Sequence, residues 1–254
     1  MLLTIDIGNT NITFGVFDGE KLFTTWRMET DVDKMPDEYA MFMLSMLHYQ
    51  DIRTSDITGI AMCSTVPPLI TIFEELFEKY FNITPLVVSP GIKTGVRIRM
   101  ENPREVGPDR IANTAAAHYL YEGPVIVVDV GTATTFDVVS REGDFIGGVI
   151  ATGIGTAAEA LFRRAAALPR IELVAPKRAI GTSTIMAMQS GIVFGYVGLV
   201  EGMVTRIQQE MDEKAIVVAT GGYARIIAGE TSVIDKVNPD ITLIGLRQIY
   251  LMNV

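Results

Sequence analysis

The sequence is poor in the residues that most covalent and metal chemistry uses. Cys63 is the one cysteine among 254 residues, which excludes an intrachain disulfide and a cysteine-based metal finger. It closes the apolar run Ile60-Ala61-Met62-Cys63 and reads as a buried thiol, because free cysteine packs as a small hydrophobe. The two histidines, His48 and His118, do not form an i, i+3 or i, i+4 pair, so histidine-based metal or triad chemistry is not expected. Positive charge is in deficit. Twenty-one Lys and Arg against 30 Asp and Glu give a formal net charge of −9, the wrong sign for a surface that grips nucleic acid by its phosphates. A small anionic ligand held in a local site stays compatible with that balance. No Gly-x-x-x-x-Gly-Lys-Ser/Thr phosphate loop occurs. The N-terminus lacks a basic n-region and Asp6 interrupts its apolar stretch, so no signal peptide is expected and the setting reads as a reducing cytoplasm. Residues 179–200 carry no charge and are long enough to tempt a membrane assignment. They also hold Thr182, Ser183, Thr184, Gln189, Ser190 and four glycines, and read better as a buried helix pair.

What is present is a repeated turn. The stretch Ile5-Asp6-Ile7-Gly8-Asn9-Thr10-Asn11 runs from a short apolar strand through a lone carboxylate into small residues. Backbone N–H groups in such a turn can form an anion nest. A carboxylate beside it suits Mg²⁺, which takes one or two carboxylates, several waters and phosphate oxygens. Taken alone, the stretch is equally an ordinary N-terminal hairpin. Its echo is Val128-Asp129-Val130-Gly131, in which Asp129 follows Asp6 by 123 residues, close to half the chain. Each copy leads into a polar turn and a second strand, and Gly19 and Gly143 mark similar hairpin positions. The order of elements supports the repeat. Strands are expected at 2–7, 12–17 and 21–27, a helix at 36–49, a strand at 57–63, a helix at 69–81 and a strand at 85–88. A loop-rich stretch follows over 91–109, flanked by Pro90 and holding Pro103 and Pro108, and then a helix over 111–121. The second half offers strands from 124 and at 145–151, a helix at 156–164, and a helix from 185 capped by Thr182 or Ser183. Helix continues over 193–210, and a strand at 215–219, a last helix and a strand at 241–244 close the chain. The expected fold is α/β, two copies of a βββαβαβ unit, each a mixed five-stranded sheet with flanking helices. The expected domains are 1–115 and 116–254.

Two Asp-x-Gly turns facing each other would clamp a nucleotide, and phosphoryl transfer asks little more of a protein than positioning and charge neutralisation. Thr220-Gly221-Gly222 after a buried strand is a third turn where backbone can approach a ligand. A kinase also needs a group to orient the acceptor hydroxyl. Asp109, in Glu105-Val106-Gly107-Pro108-Asp109-Arg110, is the candidate. A helix N-terminus stabilises its anion, which can accept a proton, and Arg110 can fork onto a carboxylate or phosphate. A capping Asp beside a surface Arg is the plainer alternative. A competing motif is Gly153-Ile154-Gly155-Thr156-Ala157-Ala158, a Gly-x-Gly-x-x-Ala match to the dinucleotide fingerprint. Against it, Glu172 comes after Pro169 and does not end a clear second strand.

These residues together resemble the type III pantothenate kinases of the acetate and sugar kinase, heat-shock ATPase and actin superfamily. The most specific pieces are Asp6-Ile7-Gly8-Asn9-Thr10-Asn11, Asn102-Pro103-Arg104-Glu105-Val106-Gly107-Pro108-Asp109-Arg110, Asp129-Val130-Gly131-Thr132-Ala133-Thr134-Thr135 and Met188-Gln189-Ser190-Gly191. The resemblance implies two ribonuclease H-like domains, ATP-dependent phosphorylation of the primary hydroxyl of pantothenate, a homodimer, Mg²⁺, and K⁺ or NH₄⁺. It implies an ATP-phosphate segment at Asp6, Ile7, Gly8, Asn9, Thr10, Asn11, Ile12 and Thr13, with Asp6 reaching Mg²⁺ through water and Thr132 as a further ATP contact. It implies a substrate segment at Gly107, Pro108, Asp109 and Arg110 with Asp109 as catalytic base, a substrate contact at Thr184, and a monovalent-cation ligand at Asp129. Family members commonly carry an aromatic residue where Met100 stands in the substrate site, Ala for Pro108, Pro for Thr152, and Lys, Asn and Glu around Thr182, Ser183 and Met186. The varied side is thus the acceptor side. Two alternatives follow from it: a Baf-type regulatory or binding protein without turnover, and a sugar or acetate kinase of the same superfamily.

Overall fold

The computed structural model describes residues 1–89 and 91–254; Pro90 lies outside the described residues. The chain falls into two compact units. The first comprises Met1–Val96, Glu101–Ala116 and Ile241–Val254, and the second Arg97–Met100 and Ala117–Asp240. The first half supplies β1 (Leu2–Ile7), β2 (Asn11–Asp18), β3 (Lys21–Glu29), α1 (Pro36–Tyr49), β4 (Gly59–Ser64), α2 (Pro67–Phe81) and β5 (Leu86–Val87). Then come α3 (Pro108–Leu120), β6 (Val125–Val130), β7 (Ala133–Val139), β8 (Phe145–Thr152), α4 (Ile154–Arg164), α5 (Thr184–Glu210), β9 (Ile216–Thr220), α6 (Ala224–Ala228), β10 (Lys236–Val237) and α7 (Ile241–Leu251).

Both units build the same sheet. In the first the order is β3-β2-β1-β4-β5, and in the second β8-β7-β6-β9-β10. In each, the opening strand is central, antiparallel to the next and parallel to the fourth. The repeat read from two aspartates therefore extends to topology and register. Asp6 lies opposite Thr13 and Cys63, and Asp129 opposite Thr135 and Thr220.

Strand alternation sets what each face meets. In the first unit Leu3, Ile5, Ile7, Ile60 and Met62 face α1 and α2, where Tyr39, Phe73 and Phe77 complete a wholly buried cluster. The opposite face carries Ala61 and Cys63 against Ala112, Ala115, Leu246 and Ile249 of α3 and α7. Small residues there let helices come close. A Cβ on Gly245 would stand 1.8 Å from the carbonyl oxygen of Ala112, and Thr242 Oγ1 donates to Asn113 Oδ1 at 2.8 Å beside it. In the second unit Ile126, Val128 and Val130 pack with Phe136, Val197, Val200, Val204 and Ile227.

Three expectations change. Residues 241–244 open helix α7 and are not a strand; the fifth strand of the second sheet is Lys236–Val237. A four-residue apolar run fits both periods, and here the run continues through Leu246 and Ile249 on one helical face. Helix α7 also packs in the first unit, so residues 241–254 leave the expected 116–254 domain. Finally, Thr184–Glu210 is one continuous helix and not a buried pair. It is long and apolar enough to cross a bilayer, with 33% of its most apolar window buried. Val193, Val197, Val200 and Val204 form its core face, while Gly191, Gly195, Gly198 and Gly202 follow the same spacing two residues out of step. Two residues are about 200° of helix, so valines and glycines occupy opposite faces. A Cβ at any of these four glycines would meet nothing within 4 Å.

Candidate active site

Two clusters of predicted residues stand at equivalent strand ends, one in each unit. In the first, β1 delivers the half-buried Asp6 to its last turn. Parallel pairing puts Cys63 of β4 on the same side, and its thiol donates to Asp6 Oδ1 at 3.4 Å. Burial, followed by the charges of Asp6 and Asp109, pushes the Cys63 thiol well above the usual range. It stays protonated and can act only as a donor. The turn after Asp6 is cross-braced. Gly8 N–H donates to Asn11 O at 3.0 Å, Thr30 Oγ1 to Gly8 O at 2.6 Å, and Asn9 Nδ2 to Thr65 Oγ1 at 3.3 Å. Asn9, Thr10 and Asn11 are exposed, whereas Ile7 and Ile12 have no accessible surface. The side chains of these two isoleucines pack into the first core, so what the two positions can offer a ligand is backbone.

Helix α3 brings the second carboxylate of this unit. Pro108 occupies its first position, where the missing N–H costs nothing. Asp109 follows and folds back over residue 107, where a Cβ would stand 2.4 Å from Asp109 Oδ1. A side chain at 107 would have to displace the carboxyl from this position. Among the described residues, Asp109 Oδ1 is buried without a hydrogen-bond partner. Burial raises the Asp109 carboxyl above its ordinary 3.8, against the opposing pull of the Arg110 N–H and charge. The expectation of an anion stabilised by the helix start thus captures the smaller effect, because desolvation outweighs it. A carboxylate with one oxygen bonded and the other buried and unsatisfied is poised to take a proton from a donor that reaches it.

In the second unit Asp129 is the penultimate residue of β6, and Gly131 N–H donates to Ala133 O at 2.9 Å to close the turn that presents the exposed Thr132. Gly221, at φ +91°, follows β9; a Cβ there would stand 2.5 Å from Asp129 Oδ1. The third turn read from the sequence is therefore the wall of the Asp129 carboxylate. Met100 and the exposed Thr184 belong to this unit too, whereas Gly107, Pro108, Asp109 and Arg110 belong to the first. Ser183 caps α5, accepting from Met186 N–H at 3.2 Å. Thr182 Oγ1 lies 3.6 Å from Met186 Sδ. The dinucleotide reading of the Gly153 segment fails on topology. β8 is the edge strand and runs antiparallel to β7, so no parallel βαβ crossover surrounds the motif.

The first cluster fits a divalent cation of the kind phosphoryl transfer uses. Among the described residues no three His, Cys, Asp or Glu side chains gather into a metal cage. One carboxylate at Asp6 suits Mg²⁺, which keeps its waters and binds phosphate oxygens. At Asp129 residue 221 comes so close to the carboxylate that it must lack a Cβ.

Sequence reasoning missed two contributors, Cys63 as the donor to Asp6 and Gly221 as the wall of Asp129. The register between the parallel strands would have revealed both.

A family model described as type III pantothenate kinase matches residues 2–206. Curated relatives bearing that name include one from Dehalococcoides mccartyi (strain CBDB1), 54% identical over 99% of this chain and 96% of its own. Another, from Moorella thermoacetica, is 53% identical over 100% of both chains. Solved structures share the fold at low identity. A protein described as a Baf family transcriptional activator from Campylobacter jejuni gives TM-score 0.61 at 19% identity, covering 99% of this chain and 98% of its own. The activator of 2-hydroxyisocaproyl-CoA dehydratase from Clostridium difficile, with bound ADPNP, gives 0.57 at 11%, covering 99% and 93%.

Proposed function

Because the chain belongs to the type III pantothenate kinase family, we propose a division of labour among its residues for one reaction. The protein phosphorylates pantothenate with ATP, the first step of coenzyme A synthesis, and uses a divalent metal ion. In this reading the braced turn Asp6–Thr13 holds the ATP phosphates through the backbone of Gly8 and the exposed Asn9, Thr10 and Asn11. Thr132 is a further nucleotide contact. Gly107, Pro108, Asp109, Arg110 and Thr184 receive pantothenate, and Met100 replaces an aromatic contact with a flexible thioether.

Asp109 accepts the proton of the primary hydroxyl as that oxygen bonds to the γ-phosphorus, and ADP departs. The observation that carries this role is the buried, unpartnered Oδ1 of Asp109, held over Gly107 in the same unit as Asp6. Its raised pKa strengthens it as a base while leaving it able to ionise. Mg²⁺ near Asp6 and K⁺ or NH₄⁺ at Asp129 supply charge neutralisation for the phosphates when bound. We also assign the protein to the cytoplasm and to a homodimer.

The test is an acceptor panel read by coupled ADP release. Pantothenate, acetate and a set of sugars are each offered with ATP and Mg²⁺, in K⁺ buffer and in Na⁺ buffer. Turnover with pantothenate alone, and only with K⁺, supports the reading. A sugar or acetate as preferred acceptor contradicts the substrate assignment, and equal rates in Na⁺ contradict the Asp129 cation site.

A further inference from the structure

One motif has no task in this account: Gly153-Ile154-Gly155-Thr156-Ala157-Ala158, between β8 and α4. Its surroundings supply one. The Gly153 N–H donates to the Thr132 carbonyl oxygen at 3.1 Å, and Thr156 Oγ1 donates to the same oxygen at 2.8 Å. A carbonyl oxygen has two lone pairs, and the first turn of α4 fills both. The approach demands glycine at 153, where a Cβ would lie 2.3 Å from the carbonyl oxygens of both Gly131 and Thr132. The junction is held in turn from α5. Tyr196 Oη lies 2.9 Å from Thr152 O and 3.1 Å from Gly153 O. Gly155 makes room for another hydroxyl, since a Cβ there would stand 2.9 Å from Tyr223 Oη.

Two hydrogen bonds therefore converge on the carbonyl of Thr132, and Tyr196 holds the segment that supplies them. Thr132 itself is exposed at the tip of its turn, and a single exposed residue in a short turn would otherwise sample several orientations. We propose that Thr156 and Gly153 are positioning residues for the nucleotide: they fix the Thr132 turn in the orientation that meets ATP, and Tyr196 fixes them. The inference rests on the reading of Thr132 as a nucleotide contact. Binding energy is lost when a contact must be ordered at the moment of binding, so loosening the brace weakens ATP and leaves pantothenate alone.

The test compares Thr156→Val, which keeps the shape and removes the donor, with Thr156→Ser, which keeps the donor. Both stand at an exposed position where folding is not at stake. Affinity for a non-hydrolysable ATP analogue, KM for ATP and KM for pantothenate are measured on the full chain. Thr156→Val should raise the ATP values roughly fivefold, the factor of one neutral hydrogen bond. The pantothenate KM should not move, and Thr156→Ser should match the wild type. Unchanged ATP affinity in Thr156→Val, equal rises for both substrates, or a Ser variant as weak as Val would overturn the inference. Thr132→Ala in the same titration separates the two levels. If it weakens ATP while Thr156→Val does not, the brace is wrong. If it too leaves ATP unchanged, the reading of Thr132 is wrong and the inference goes with it.

Discussion

At the scale of single residues, the site keeps a carboxyl where a stable protein would not. Asp109 presses its Oδ1 against Gly107 with no hydrogen-bond partner among the described residues, and burial raises its pKa in the folded chain. The unfolded chain loses this proton near the ordinary 3.8 and the folded chain only at higher pH. Between those two values the native state binds more protons, so stability falls as pH rises through the window, and the cost persists above it. Asp109→Asn, which removes the charge, should therefore melt higher than the wild type at pH 7. The gain should shrink to nothing below about pH 3.8, as calorimetry across pH would show. The sequence pointed to Asp109 through Gly-Pro-Asp-Arg at a helix start. It also suggested a stabilised anion, because the helix N-terminus is visible in a sequence and the burial of one oxygen is not. The same limit applies to Ile7 and Ile12. Motif membership placed them among ATP contacts, and only the structure shows that both side chains pack into the first core, which leaves their backbone as the part that could meet a ligand.

At the scale of elements, the fold depends on close approach as much as on apolar area. Helix α7 lies against α3 because Gly245 offers no Cβ to the Ala112 carbonyl. Gly245→Ala should force the helices apart and cost about 1–3 kcal/mol, as overpacking does. At roughly 2–4 °C per kcal/mol for a chain of this size, thermal unfolding should shift down by several degrees. An unshifted melting curve would mean that α7 tolerates a displaced α3. The strand expected at 241–244 fails for a local reason. Ile241-Thr242-Leu243-Ile244 is a short, mostly apolar run that fits a strand or a helix, and only its continuation to Leu251 reveals the helical face. By contrast Pro36–Tyr49 was legible residue for residue, since Pro at the start and apolar spacing through Tyr39, Met43 and Leu47 agree. Helix α5 misled in the other direction. Its four glycines look like breaks in a sequence, but glycine costs a helix only about 1 kcal/mol each against alanine, and the valine face supplies the packing that offsets it.

At the scale of the molecule, the chain is one design written twice. Both sheets have the same strand order, and each central strand carries an aspartate at its penultimate position, followed by a bonded turn. That duplication was legible from Val128-Asp129-Val130-Gly131 echoing the opening. The grouping of Ile241–Val254 with the first unit was not, because a returning C-terminal segment leaves no mark in local sequence.

The central claim is that Asp109 is the base of an ATP-dependent phosphorylation of pantothenate. Asp109→Asn tests it most directly, because the amide keeps the size and loses the proton acceptor. With K⁺, Mg²⁺ and saturating substrates, ADP release should fall by about 10²–10⁴-fold, while an ATP analogue binds the variant with wild-type affinity. Turnover within a few-fold of the wild type would contradict the account.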